Sequence, residues 1–403
     1  MMRGAKVFIV TGAYTSAIAT FMRKHSLELN ACNYKKAKEL FEQDLYDYFS
    51  FGWEKALKKR GYIVEIAQYN VATLQQKWAS ENLGRSGQYS SFDILKAQIR
   101  KFKPDILWYA WVGYQELHEL RQEFPSILLF VGWVGSAIAA NGQWRELDMV
   151  FSCAPESVSK LREQGVAAEH LNHAFDPEFL KVIPKAKEKN NLLFIGSLTQ
   201  GSGFHNRRRA LLQKLVVTLP ILIYAPSVST QDTIKSLIKK GLSILSKPLF
   251  SRKISLSNRI YNRISLWKDT KIQIPESVYF GKHLRLPVFG VEMFQVLEQA
   301  VVALNIHADS SPLYASNMRM YETTGVGTCL LTEGKSNLGE LFEENREIVP
   351  YSSDEDCIEK AKWLMAHPEK CSLIAKAGQA RCLSEHTYDK RADEWEYLLG
   401  KYL

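Results

Sequence analysis

Asn317-Met318-Arg319-Met320-Tyr321-Glu322-Thr323-Thr324-Gly325-Val326-Gly327-Thr328-Cys329-Leu330-Leu331 is the stretch on which the fold turns. An apolar run ending in Asn305 precedes it. The spacing predicts a helix, a turn at Gly325 and Gly327, and then a strand. Residues three or four apart on a helix share a side, so Arg319 and Glu322 face the same way, and Asn317 falls at the expected N-cap. A helix N-terminus presents unsatisfied N–H groups and partial positive charge. An arginine one turn in therefore favours a diphosphate, and a carboxylate nearby suits ribose hydroxyls. On spacing alone, an exposed i, i+3 Arg–Glu pair accounts for the pattern equally well.

Further motifs follow: Ile348-Val349-Pro350-Tyr351, His367-Pro368-Glu369, Ile374-Ala375 with Gly378, and His386-Thr387-Tyr388 with Arg391. Together with Asn-x-Arg-x-x-Glu, the glycine turn and the strand at Cys329 to Leu331, they resemble the group-1 glycosyltransferases, and most closely the spore-maturation-protein-like branch. The resemblance is weaker at Leu193 to Ser197 with Arg207, and in the N-terminal half only the overall pattern agrees. One departure stands out. Many group-1 enzymes carry a second glutamate eight positions before the one matched by Glu322, and here that place is Tyr314.

The resemblance implies an α/β protein of GT-B fold, with two Rossmann-like doubly wound domains facing an interdomain cleft. It also implies a nucleotide-diphosphate-sugar donor held mainly by the C-terminal domain, an acceptor (glycan, lipid-linked or protein) entering from the N-terminal domain, retention at the anomeric carbon, and no bound metal. His386 is expected to hold the last helices together.

Length and composition agree with that plan. The 403 residues suit two domains better than one core. The expected boundaries are 1–180, 191–385 with a basic insert at about 228–280, and a final helix at 386–403 that returns toward the first domain through Trp395 and Leu398. Strands are expected at Lys6 to Val10, Val64 to Ile66, Ile106 to Tyr109, Ile127 to Val131 and Met149 to Phe151. In the second domain they are expected at Leu192 to Gly196, Ile221 to Tyr224, Val301 to Asn305, Thr328 to Leu331 and Ile348 to Val349. Strands alternating with helical stretches argue for parallel sheets covered on both faces. Phe41, Leu45, Phe49, Trp53 and Leu57 form a four-residue stripe read as one helix, closed by Lys58-Lys59-Arg60-Gly61. Lys185 to Asn191 is the expected linker, with Asp176-Pro177 in the hinge region.

In doubly wound sheets ligands gather at the carboxyl ends of strands, which directs attention to the loops there. Gly12 and Tyr14 follow the first strand, but one glycine lacks the spacing of a dinucleotide fingerprint. Gly196 and Ser197, with Gly201 and Gly203, form a second loop before Arg207-Arg208-Arg209. An arginine at a helix start opposes the dipole unless an anion is near, which nominates Arg207 as a second phosphate ligand, although a solvated basic face explains the cluster too. Asp354-Glu355-Asp356 imitates a metal-binding triplet, yet acidic residues at a helix start need no metal to explain them. His173, beside Asp176-Pro177, either faces the cleft or is a satisfied surface group.

The net charge of +9 permits phosphate-bearing partners without choosing one. Basic residues between Lys235 and Lys271 alternate with apolar ones. They suggest an insert that lies on an anionic bilayer, or a solvated helical hairpin. No run reaches the ~20 apolar residues of a membrane span, and Val7 to Val10 is too short for a signal peptide, so a cytosolic protein is expected, with membrane association limited to that insert. Six scattered cysteines without CxxC spacing fit reduced thiols. No nucleic-acid partner is expected, and oligomeric state stays open. A sugar-nucleotide epimerase of the same fold and a catalytically degenerate binding protein are the competing functions.

Overall fold

The computed structural model describes residues 4–44, 48–84, 88–111, 114–135, 138–186, 189, 191–198, 205–227, 234–235, 237–240 and 275–402. Leu45, Gly201, Gly203 and most of the basic insert lie outside the described residues.

Two six-stranded sheets organise the chain. The first contains β1 (Lys6–Thr11), β2 (Ile63–Gln68), β3 (Ile106–Tyr109), β4 (Leu129–Val134), β5 (Met149–Ser152) and β6 (Ala168–His170), in the order β2-β1-β3-β4-β5-β6. The second contains β7 (Asn191–Ile195), β8 (Leu222–Tyr224), β9 (Leu284–Arg285), β10 (Ala300–Asn305), β11 (Cys329–Glu333) and β12 (Val349–Tyr351), in the order β12-β11-β10-β7-β8-β9. All pairings are parallel. Each strand set is apolar on both sides because both faces are covered. In β1, Val7 and Ile9 enter one core while Phe8 and Val10 enter the other. In β10, Val302 and Leu304 point one way and Ala303 the other.

Strand order reverses between β1 and β3 in the first sheet, and between β7 and β10 in the second. Such reversals open a crevice at the carboxyl ends of the strands, where α/β sheets bind ligands.

Two local expectations are corrected. The stripe from Phe41 to Leu57 is carried by two helices, Tyr34–Asp44 and Tyr48–Lys59, rather than one. Gly61 closes the second of these at φ +88°, with Tyr62 N donating to Leu57 O at 3.2 Å and Gly61 N to Lys58 O at 3.0 Å. The strand expected from Ile127 begins at Leu129, because Ile127 N is engaged in a turn with Phe124 O at 3.1 Å. The short β6 and β9 escape the sequence pattern: Glu169-His170 is polar, and two residues at 284–285 give no period.

The halves are joined by two crossings that run side by side. Phe175 pairs with Thr387, Phe175 N donates to His386 O at 2.8 Å, and Tyr388 N to Phe175 O at 3.4 Å. Beyond the first crossing, Ala186 N already bonds Glu298 Oε2 (2.8 Å), and Lys189 Nζ bonds Gly327 O (3.0 Å) in the second half. After the second crossing, the Tyr388–Leu399 helix lies on the first sheet's core. Trp395 stacks on Trp108 with ring centroids 5.6 Å apart, and Tyr388 meets Trp53 edge-on at 5.7 Å. Gly52 makes room for it, since a Cβ there would lie 2.3 Å from the Tyr388 ring. Among the described residues no helix is long and apolar enough to cross a membrane.

Candidate functional site

The second sheet's crevice is built around Asn305, the last residue of β10 and 1% exposed. Its Nδ2 donates to Thr332 Oγ1 on β11 at 2.9 Å, and its Oδ1 accepts from Asn317 Nδ2 at 2.8 Å. Asn317 Oδ1 in turn accepts from Arg319 N at 3.1 Å. One carboxamide pair thus fixes where the Arg319–Gly325 helix begins relative to the strand. Asn317 is not the N-cap itself: Met318 occupies that position, and Asn317 holds the first helical N–H from one residue earlier.

Arg319 and Glu322 stack as the spacing requires, and burial decides between the two explanations of that spacing. The Arg319 side chain is 13% exposed and that of Glu322 1%, with Arg319 Nη1 2.6 Å from Glu322 Oε2. An exposed surface pair is excluded. Arg319 Nη1 also lies 3.2 Å from Met293 Sδ. Arg319 is the only partner of the Glu322 carboxylate among the described residues, and Oε1 has none. A buried carboxylate oxygen without a donor is costly unless something supplies one.

The second buried cation beside this cluster is Arg208, and the neighbouring Arg207 is exposed. Arg208 is 6% exposed, and its guanidinium spans the crevice at the β7/β10 reversal. Nε and Nη2 donate to Ile306 O at 3.1 and 2.8 Å, and Nη1 donates to Ser197 O at 3.1 Å. It lies over the Phe194 ring at 5.9 Å. Burial, and then the nearby Arg319 charge, lower its pKa to about 10. The Arg319 charge thus bears on Arg208, and the nearby Asp309 carboxylate offsets part of it. Arg207 points outward, with its side chain 64% exposed and Nη1 donating to Glu333 Oε1 at 2.7 Å.

The histidines report the same field. His307, 2% exposed, is pushed down to about 3 by burial and by the Lys335 and Arg208 charges. His205, which precedes the Asn206–Thr218 helix, falls to about 4 through burial and Arg208. Lys335, with its side chain largely buried, lies 3.3 Å from Glu333 and donates to Pro312 O at 2.8 Å.

Gly196 follows β7, and a Cβ there would meet Phe194 Cζ at 2.9 Å and Arg208 Nη1 at 3.5 Å, so glycine admits both. Ser197 contributes its carbonyl to Arg208. In the first sheet, Gly12 is fixed by local packing: a Cβ would lie 2.1 Å from Trp111 Cζ3 and 2.6 Å from Asn70 Oδ1. Asn70 holds this loop by accepting from Ala13 N at 3.0 Å and donating to Ala13 O at 2.7 Å. Tyr14, on the same loop, is 73% exposed.

His173 and His386 belong to the crossings. His386 Nε2 donates to Leu341 O at 2.8 Å and Nδ1 accepts from Arg391 Nη2 at 2.7 Å, with burial lowering its pKa to about 4. His173 is 9% exposed, meets Trp133 edge-on at 5.4 Å, and its carbonyl accepts from Arg391 Nε at 3.2 Å. It is neither a surface group nor part of the Asn305–Arg319 cluster. Asp354-Glu355-Asp356 forms the first turn of the Asp354–Ala366 helix. There Ser353 accepts from Asp356 N at 3.1 Å, and the carboxylates pair with Lys214 and Lys360.

A family model described as glycosyl transferase-like matches residues 249–397, the segment that carries Asn317, Arg319 and Glu322. No curated protein matches the sequence. Among solved structures, sucrose-phosphate synthase from Thermosynechococcus elongatus aligns over 98% of this chain and 98% of its own, with a TM-score of 0.55 and 11% identity. A glycosyltransferase from Rickettsia africae aligns over 99% and 98%, with a TM-score of 0.54 and 9% identity. Anabaena HepE, solved with UDP-glucose, aligns over 98% and 100%, also at 0.54 and 9%. The fold is GT-B.

Proposed function

We propose that this protein transfers a glycosyl group from a nucleoside-diphosphate sugar to an acceptor. The observation that carries the reading is the placement of two buried guanidinium groups, Arg208 and Arg319, beside a buried Glu322 carboxylate that has no partner but Arg319 among the described residues. Cations in a water-poor crevice bind a diphosphate, and a carboxylate oxygen without a donor accepts from ribose hydroxyls. HepE, of the same fold, is solved with UDP-glucose, which makes UDP sugars the first donors to try.

As the glycosidic bond breaks, negative charge grows on the departing diphosphate and the sugar becomes electron-poor. Arg208, Arg319 and Lys335 would hold that charge more tightly in the transition state than in the bound donor, which is the condition for raising rate. On this reading the guanidinium groups do the work a divalent cation would otherwise do. Retention at the anomeric carbon belongs to the same proposal, with the acceptor entering from the Tyr14 side. Tyr314 replaces the glutamate found there in many relatives by resemblance, so the sugar-facing chemistry at that point is this chain's own.

Incubation with radiolabelled UDP, GDP, ADP, CMP and dTDP sugars tests the proposal. Free nucleotide that accumulates only with acceptor supports transfer. An epimerised donor or binding without turnover would replace it with one of the two competing functions. Within the basic cluster the residues should separate. Arg207→Ala removes an exposed pair of a kind worth about 0–1 kcal/mol and should change donor affinity by less than about threefold. Arg208→Lys, which keeps charge but loses the fork, should weaken affinity by about tenfold or more. Equal effects at the two positions would contradict the placement of Arg208 in the crevice.

A further inference from the structure

One contact between the halves reaches the donor side of the crevice directly. Glu156 stands in the first turn of the Pro155–Glu163 helix, after β5 in the first half. Its Oε1 accepts from Leu313 N at 3.0 Å and Tyr314 N at 3.1 Å, and its Oε2 lies 2.9 Å from Ser311 Oγ. These three partners form the loop that leads from β10 toward the Arg319–Gly325 helix.

The same loop is anchored from its own half. Asn337 Oδ1 accepts from Ala315 N at 2.7 Å, Ser336 N and Oγ donate to Leu313 O at 3.0 and 2.7 Å, and Lys335 Nζ donates to Pro312 O. Beyond Ala315 the chain passes into Asn317, whose carboxamide sets Arg319 against Asn305. A displacement of residues 311–314 is therefore transmitted over a few bonds to the Arg319 and Glu322 side chains. Charge-assisted bonds to two consecutive backbone N–H groups also fix the loop's orientation, not only its distance.

We propose that Glu156 is a positioning residue that ties the acceptor-side half to the donor loop, so that drawing the halves together and seating the nucleoside diphosphate are coupled. The inference rests on the nucleotide-sugar reading for its ligand and on the three contacts alone for its mechanics. The carboxylate of one half completes the loop geometry of the other. Donor affinity then depends on a residue that does not touch the donor, and the coupling is reciprocal.

Full-length wild type, Glu156→Ala and Glu156→Gln separate the possibilities through three measurements: calorimetric titration with UDP-glucose, the thermal midpoint, and the radius of gyration by small-angle X-ray scattering without nucleotide. Glutamine retains an oxygen for the two N–H groups and an amide for Ser311, so it should stay within threefold of wild type in affinity. Alanine should weaken UDP-glucose by tenfold or more with little change in midpoint, and should raise the ligand-free radius of gyration. An alanine variant with wild-type affinity and radius overturns the inference. So does a loss of affinity that the glutamine variant shares and that tracks a fall in midpoint, since that would make Glu156 merely structural. The scattering result needs no nucleotide. If wild type binds none of the UDP, GDP, ADP, CMP or dTDP sugars, the donor reading is what fails, while an unchanged radius in the alanine variant still overturns the coupling.

Discussion

Arg319→Ala should abolish detectable donor binding and lower stability in one step, the largest effect expected of any single side chain in the crevice. Glu322 is 1% exposed, and Arg319 is its close cation at 2.6 Å. Removing the arginine leaves a buried carboxylate with no partner among the described residues, a change that costs about 3–5 kcal/mol in comparable sites. Total stability of a folded domain is only about 5–15 kcal/mol, so the variant should unfold at a much lower urea concentration. The double variant Arg319→Ala/Glu322→Gln separates the two losses. It removes the stranded charge and should recover most of the urea midpoint, because replacing both members of a buried pair is far milder than removing one. It should not recover nucleotide binding, because the phosphate ligand is still absent. Recovered binding in the double variant would show that Arg319 serves Glu322 and not the diphosphate.

Arg391→Ala should produce the second large effect, with the opposite signature. Arg391 is 3% exposed and ties both crossings together: Nε to His173 O at 3.2 Å, Nη1 to Glu385 O at 3.3 Å and to Glu394 Oε1 at 2.6 Å, and Nη2 to His386 Nδ1 at 2.7 Å. The Glu394 partner is half in solvent and contributes little on its own. The buried acceptors matter more, because each one left unsatisfied costs about 1–3 kcal/mol, which gives a loss of about 3–5 kcal/mol overall. Arg391→Lys keeps the charge but reaches fewer of the acceptors and should recover less than half of the loss. Chemical denaturation reads the effect. Donor affinity at temperatures where the variant stays folded should remain near wild type, since none of the Arg391 contacts among the described residues reaches the crevice. An unchanged denaturation midpoint would contradict the assignment of the double crossing to this residue.

Much of this arrangement is legible in the sequence because it is local. The i, i+3 relation of Arg319 and Glu322 and the glycine closure at Gly61 depend on neighbours a turn away, and the structure has both. The choice between a surface pair and a buried site is different. Helical spacing gives a direction but not what lies in that direction, and the β10 end and Met293 supply that only after folding.

Arg208 shows a signal that was present and outweighed. It lies three and four residues before Leu211 and Leu212, both buried in the second core, so the helical period turns it inward and Arg207 outward. The dipole argument, which looks only at position along the helix, cannot tell the two apart. Glu156 leaves no local trace at all, since its partners are more than 150 positions away and its place at a helix start is already explained by the dipole. The single stripe from Phe41 to Leu57 has the reverse fault. Periodicity survives a break between two helices, so it fixes which faces are apolar but not where one helix ends.

We propose that the crevice between β7 and β10 recognises a nucleoside diphosphate through Arg208 and Arg319. Calorimetric titration with the nucleoside diphosphate that gives the strongest thermal shift, set against its parent nucleoside, tests this most directly. Wild type should bind the diphosphate at least about a hundredfold more tightly than the nucleoside, a difference of about 2.7 kcal/mol, and Arg208→Lys should erase most of that gap while leaving nucleoside affinity unchanged. A wild-type protein that does not distinguish diphosphate from nucleoside, or an Arg208→Lys variant that keeps the full difference, would contradict the account.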